Sequence, residues 1–150
     1  MPRKIIILEN IRSAYNVGNV IRTADALGRE VRITGYTPSP LDHPKVKKTS
    51  LGAEDSVALK QFDYTSDAIT YAKEQKIGII AAEITPDAID LQSFSENDRA
   101  DIAIVFGNEV EGVLLETLKT VDQVVFIPMQ GVKESLNIGQ STAIFMRALR

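Results

Sequence analysis

Four short runs in this chain are apolar almost without a break: Lys4-Ile-Ile-Ile-Leu8, Ile77-Gly-Ile-Ile-Ala-Ala82, Ile102-Ala-Ile-Val-Phe106 and Val124-Val-Phe-Ile127. A strand with one wet face alternates apolar and polar residues. A run apolar throughout fits a strand covered on both faces, the usual state of a parallel sheet sandwiched by helices. Helical patterns lie between these runs, over about Asn16–Leu27, Ser66–Lys76, 112–120 and 138–149. Val31-Arg-Ile-Thr-Gly-Tyr36 alternates and reads as the second strand, with a further strand over Ser56–Phe62. Alternation of strand and helix predicts an α/β domain with a mainly parallel sheet flanked by helices.

Local signals set the expected boundaries. Gly28 is the C-cap of the first helix, whose apolar face is Val17, Val20, Ile21, Ala24 and Leu27, with Arg22 nearly opposite. Asn16 can cap that helix, Ser66 the next, and Asn137-x-x-Gln140 resembles a capping box for the last. Thr37–Lys48, with Pro38, Pro40 and Pro44, reads as a loop, and Pro86–Ala100 as irregular with a helical turn. The closing helix carries Ile138, Thr142, Phe145 and Leu149 on one side and Ala143, Ile144 and Met146 around the rest. A helix apolar nearly all round needs cover on more than one side, and a second subunit would supply it.

Composition narrows the function. At 150 residues the chain reads as one domain, 1–150, able to bury roughly 70% of its unfolded surface. It has no cysteine and one histidine, so disulfides, thiolate sites and histidine-rich metal centres are excluded and no metal is expected. No apolar stretch approaches a membrane span and the N-terminus lacks a signal-peptide pattern, so the expectation is a cytoplasmic protein without a membrane partner. Net charge is −3, but residues 1–48 carry nine Lys/Arg against four Asp/Glu and the remainder eight against sixteen. A basic N-terminal third on an acidic body can present a phosphate-binding surface; chance patterning of a solvated surface explains the charge equally well.

Two strand ends hold the chemistry. Gly107-Asn-Glu-Val-Glu-Gly112 has the glycine spacing of a P-loop, but Val113 and Leu114 stand where Lys and Ser/Thr are required. No G-x-G-x-x-G follows a strand. His43, between Asp42 and Pro44, reads as a turn residue. Three polar clusters remain: Asn16–Arg22, Gly107–Glu109 and Met129–Asn137. Each singly has a structural reading, as a cap, a helix-dipole partner or an exposed arginine.

Together they resemble the three motifs of a family. Asn10-Ile-Arg-Ser-Ala-Tyr-Asn-Val-Gly-Asn-Val-Ile-Arg-Thr-Ala-Asp-Ala-Leu-Gly28, Ile104-Val-Phe-Gly-Asn-Glu-Val-Glu-Gly-Val113 and Ile127-Pro-Met-Gln-Gly-Val-Lys-Glu-Ser-Leu-Asn-Ile-Gly139 are similar, in order, to those of the SpoU (TrmH) RNA methyltransferases of the SPOUT superfamily. Lys48-Thr-Ser-Leu-Gly-Ala-Glu54 resembles a segment of the small single-domain members. The resemblance implies a C-terminal deep trefoil knot, a homodimer, and S-adenosyl-L-methionine as cofactor. It implies methyl transfer to a ribose 2′-hydroxyl of tRNA or rRNA; the alternatives are methylation of a base nitrogen and a non-catalytic dimeric RNA-binding module.

By motif position, Gly107, Ile127, Met129, Gly131 and Leu136 would hold the cofactor. Arg22, Asn16, Glu109, Ser135 and Asn137 would form the catalytic set. A guanidinium does not deprotonate in proteins, so Arg22 is expected to bind phosphate and stabilise a developing alkoxide. A carboxylate against a sulfonium would stabilise the ground state and slow transfer; Glu109 is therefore expected to orient Arg22, Asn16 or a loop amide. With no added RNA-binding domain expected, RNA contacts fall to Arg3, Lys4, Arg12, Arg29, Arg32, Lys45, Lys47 and Lys48.

Overall fold

The computed structural model describes residues 2–97 and 100–150. Seven strands, β1 (Lys4–Glu9), β2 (Glu30–Thr34), β3 (Leu59–Phe62), β4 (Gly78–Ala82), β5 (Ile89–Asp90), β6 (Ile102–Phe106) and β7 (Gln123–Phe126), form one sheet. Its order is β3-β2-β1-β6-β4-β7-β5, and every paired neighbour is parallel. The helices are α1 (Ala14–Leu27), α2 (Pro44–Ser50), α3 (Thr65–Glu74), α4 (Leu91–Asn97), α5 (Leu115–Leu118) and α6 (Ile138–Ala148).

The wholly apolar runs behave as their composition requires. Ile6, Leu8, Ile104 and Phe106 enter one core with Val20 and Ile21 of α1 and Phe145 and Met146 of α6. Ile5, Ile7, Ala103 and Val105 alternate into a second core with Ala68, Ile69 and Ala72 of α3. The sheet is thus covered on both faces, and each fully buried Ile or Leu contributes roughly 1.5–3 kcal/mol over leaving it exposed.

Several boundaries differ from expectation. Ser13, not Asn16, caps α1: its hydroxyl accepts from Asn16 N at 3.2 Å, which leaves the Asn16 side chain free to act elsewhere. Residues 44–50 are helical because Pro44, lacking an N–H, suits the first helical position. α2 then packs so closely on α1 that a Cβ at Gly18 would overlap the Val46 carbonyl and the Thr49 hydroxyl. His43 occupies the turn before it, as expected. Ser66 lies inside α3, and Tyr64 holds the cap position. α5 is shorter than 112–120, because Gly112 adopts a left-handed φ of 75° and the chain turns before Leu115. Within Pro86–Ala100 lie β5 and α4; residues 98–99 of that stretch fall outside the described ones. Asn137 caps α6 through Gly139 N at 2.8 Å. No reciprocal bond from Gln140 completes a capping box among the described residues. α6 buries Ile138, Thr142, Phe145 and Met146, while Ile144 stays 43% exposed.

Candidate active site

The ends of β4, β6 and β7 open into a cavity of about 430 Å³, walled by Phe106–Val110, Ile127, Met129, Ser135–Ile138 and, from β4, Ala82–Ile84. Of the residues expected at a cofactor, Gly107, Ile127, Met129 and Leu136 line it; Gly131 does not and lies exposed in the loop before α6. Gly107 is demanded by sterics. A Cβ there would run into the backbone of Gly112 and Val113, because the chain folds back on itself directly after β6. Asn108 makes that fold: its Oδ1 accepts from Val110 N at 2.8 Å and Glu111 N at 2.9 Å. Its Nδ2 donates to the Asn10 carbonyl at 2.9 Å and the Tyr36 hydroxyl at 2.8 Å.

Two further carboxylates, absent from the expected set, hold the same loop. Glu83 accepts from Val113 N at 3.1 Å, and its carboxylate lies beside Gly112. Buried Glu9 accepts from Leu114 N at 2.9 Å and from the Thr117 hydroxyl at 2.6 Å. Nothing in their local sequence marks either, since each acts on a segment distant in the chain. Asn108 had a local signal, an Asx turn after a strand, but its grip on Asn10 and Tyr36 exists only in the fold.

Glu109 ties this loop to the entrance of α1. It accepts from Arg12 N at 2.9 Å, from Ser13 N at 3.0 Å and from Asn16 Nδ2 at 3.4 Å. Burial alone would raise its carboxyl, but the Arg12, Ser13 and Glu109 amides and the Asn16 side chain outweigh that and hold it below the ordinary carboxylate value. Asn16 Oδ1 in turn accepts from Asn137 Nδ2 at 3.3 Å. Glu109, Asn16 and Asn137, one from each motif, thus form a continuous chain of hydrogen bonds at the cavity. Ser135 lines the cavity beside them; Arg22, on the exposed side of α1, does not.

The basic residues divide in two. Arg3 pairs with Glu30 at 2.8 Å and with Gln75 at 3.0 Å, and the Glu30 hydrogen bond raises its guanidinium further. Lys4 is buried on the Ala100 carbonyl, and Arg32 pairs with Glu30 at 2.9 Å. Arg29 donates to the Met146 and Leu149 carbonyls at the end of α6, 3.0 and 3.2 Å away. Arg3 and Arg29 lie just before β1 and β2, Lys4 begins β1 and Arg32 lies midway along β2; all four donate to groups within the fold, and none of them lines the cavity. Arg12, Lys45, Lys47 and Lys48 are exposed on the α1 entrance and on α2.

A cleft outside the carboxyl ends of parallel strands, with a glycine loop pressed against it, defines an α/β small-molecule-binding protein. The model described as the SpoU rRNA Methylase family matches residues 3–147, and the chain belongs to that family. It is 31% identical over 144 residues to a tRNA (guanosine(18)-2′-O)-methyltransferase of Borreliella burgdorferi, covering 95% of this chain and 64% of that one. The chain therefore spans somewhat less than two thirds of that relative's length. Its fold superposes with a TM-score of 0.88 on an AdoMet-bound rRNA methyltransferase from Sinorhizobium meliloti, 24% identical, over 99% of this chain and 56% of the other. A structure concerned with 2-OH methylation of C/U34 on tRNA gives a TM-score of 0.86 at 25% identity, over 99% and 94%.

Proposed function

We propose that the chain transfers a methyl group from S-adenosylmethionine to a ribose 2′-hydroxyl of tRNA or rRNA, the chemistry named for its relatives. The observation that carries this reading is the Glu109–Asn16–Asn137 chain of hydrogen bonds beside a cavity of the right size. About 430 Å³ lies within the range of small-molecule sites. Phe106, Ile127 and Leu136 offer apolar faces to a flat ring, and at Gly107 bare backbone approaches so closely that no side chain fits. Bound there, S-adenosylmethionine supplies an electrophilic methyl group.

The protein's own residues supply alignment and electrostatics. Ser135 and Asn137 hold the ribose, and such alignment is worth roughly 7–11 kcal/mol in well-oriented systems. Glu109 spends its charge on the Arg12 and Ser13 amides and on Asn16, and so fixes the rim without facing the methyl group. Arg22 binds a phosphate and stabilises negative charge developing on the ribose oxygen. Because Arg22 lies outside its own chain's cavity, it serves the site of a partner in a homodimer. Exposed Ile144 on α6 and Tyr15 on α1 supply apolar cover for that contact. A trefoil knot fits the path from β7, between β4 and β5, through residues 127–137 to α6 against α1. Arg12, Lys45, Lys47 and Lys48 hold RNA phosphates, and the enzyme works in the cytoplasm. Calorimetric titration with S-adenosylmethionine tests the reading: binding is expected, and its absence would overturn the cofactor assignment.

A further inference from the structure

A second cavity of about 450 Å³ opens at the carboxyl ends of β1, β2 and β3, lined among others by Asn10, Tyr36, Asp63, Tyr64, Ser66 and Glu116. It shares a wall with the candidate active site: residues 107–110 and Gly112 border the first cavity, and Leu114, Glu116 and Thr117 border the second. Asn108 bridges the two, donating to the Tyr36 hydroxyl while its carbonyl holds the loop of Glu109. Tyr36 and Tyr64 are 59% and 69% exposed, which leaves ring surface open to a flat ligand. Among the described residues, no lysine or arginine lines this cavity. The carboxylates of Asp63 and Glu116 engage no partner among the described residues.

That chemistry repels phosphate and suits an uncharged aromatic ring bearing N–H donors. Aromatic side chains stack bases whatever their identity, and carboxylates accept from exocyclic amino groups such as N4 of cytosine. We infer that this cavity is a nucleobase subsite for the RNA substrate, taking an amino-bearing base from a nucleotide next to the one whose ribose reacts. The inference rests on the RNA-methylation reading and adds where a flanking base is read. The tyrosine and acidic lining supply base selection, and the exposed lysines of α2 supply the phosphate contacts that carry no sequence information.

The test uses Tyr64, whose side chain makes no hydrogen bond among the described residues. Wild type, Tyr64→Phe and Tyr64→Ala are titrated with unfractionated tRNA and with short oligocytidylate and oligouridylate, alongside S-adenosylmethionine binding and sedimentation. Loss of one stacked base weakens binding by roughly 5- to 150-fold. Tyr64→Ala is expected to show that loss on tRNA and oligocytidylate, Tyr64→Phe to bind as wild type does, and both to keep cofactor affinity and oligomeric state. Wild type is expected to favour oligocytidylate over oligouridylate. Equal RNA binding by Tyr64→Ala, or no preference between the oligomers, overturns the subsite alone. A change of oligomeric state in Tyr64→Ala marks the cavity as a protein contact and also overturns it. Failure of the wild type to bind any RNA overturns the subsite together with the reading beneath it.

Discussion

Glu109→Gln is the perturbation whose sign separates two accounts of the site. The carboxylate accepts three hydrogen bonds, from Arg12 N at 2.9 Å, Ser13 N at 3.0 Å and Asn16 Nδ2 at 3.4 Å. Glutamine keeps one acceptor oxygen and turns its NH₂ toward an amide that is itself a donor, so at least one bond is lost. A hydrogen bond to a charged group is worth roughly 1.5–3 kcal/mol; because Glu109 is solvent-exposed, about 1 kcal/mol is the appropriate discounted figure. At 1.36 kcal/mol per decade, loosening the rim lowers kcat/KM for methyl transfer by roughly 5- to 10-fold. Steady-state kinetics with labelled cofactor measure this, and calorimetry should find S-adenosylmethionine affinity nearly unchanged. An increase in rate at equal RNA binding would refute the reasoning, because it would mean that Glu109 had been stabilising the sulfonium ground state. The pH dependence follows from the same bonds. The Glu109 carboxyl lies below its ordinary value when folded. Its contribution to loop attachment is therefore complete above about pH 4.3 and lost as pH falls through the lower folded value. The glutamine variant should lack that acid-sensitive component.

Other outcomes follow from the same geometry. Gly107→Ala drives a Cβ into the Gly112–Val113 backbone and shifts the loop by roughly 1 Å, a displacement that can cost on the order of 100-fold; calorimetry should show a large loss of S-adenosylmethionine binding while circular dichroism keeps the native spectrum. Mixing Arg22→Ala with Asn137→Ala subunits should restore part of the activity that each homodimer lacks, since one site in the mixed dimer carries both intact residues; no recovery argues against a shared site. Arg29→Ala removes two bonds to the end of α6 and should lower stability by about 1–2 kcal/mol in denaturant melts, with RNA affinity unchanged; weakened RNA binding in a fully stable variant would return Arg29 to the RNA surface.

The sheet was legible because burial on both faces leaves a composition mark. Ile5, Ile7, Ala103 and Val105 face one core and Ile6, Leu8, Ile104 and Phe106 the other, so no position in β1 or β6 tolerates a solvated side chain. Less legible were features decided by distant partners. Asn16 and Ser13 are both good caps by residue type, yet α1 starts at Ala14 with Ser13 as its cap, and the Asn16 side chain bonds to Glu109 and Asn137 instead. Prolines at 38, 40 and 44 suggest a loop, yet Pro44 begins a helix because Gly18 lets α2 settle onto α1. Arg3 and Arg29 look like free cations until Glu30 and the end of α6 claim them. Gly107, Glu109 and Asn137 carry local signals of their own. Glu9 and Glu83 grip a loop that is distant from them in the chain, so nothing in their local sequence marks the contact.

The most direct measurement of the central claim is product analysis. The purified protein is incubated with methyl-labelled S-adenosylmethionine and total tRNA or rRNA, and the RNA is digested to nucleosides. The account predicts label in a 2′-O-methylnucleoside, abolished by Asn137→Ala. Label on a base, or none in either RNA while the cofactor binds, would contradict it.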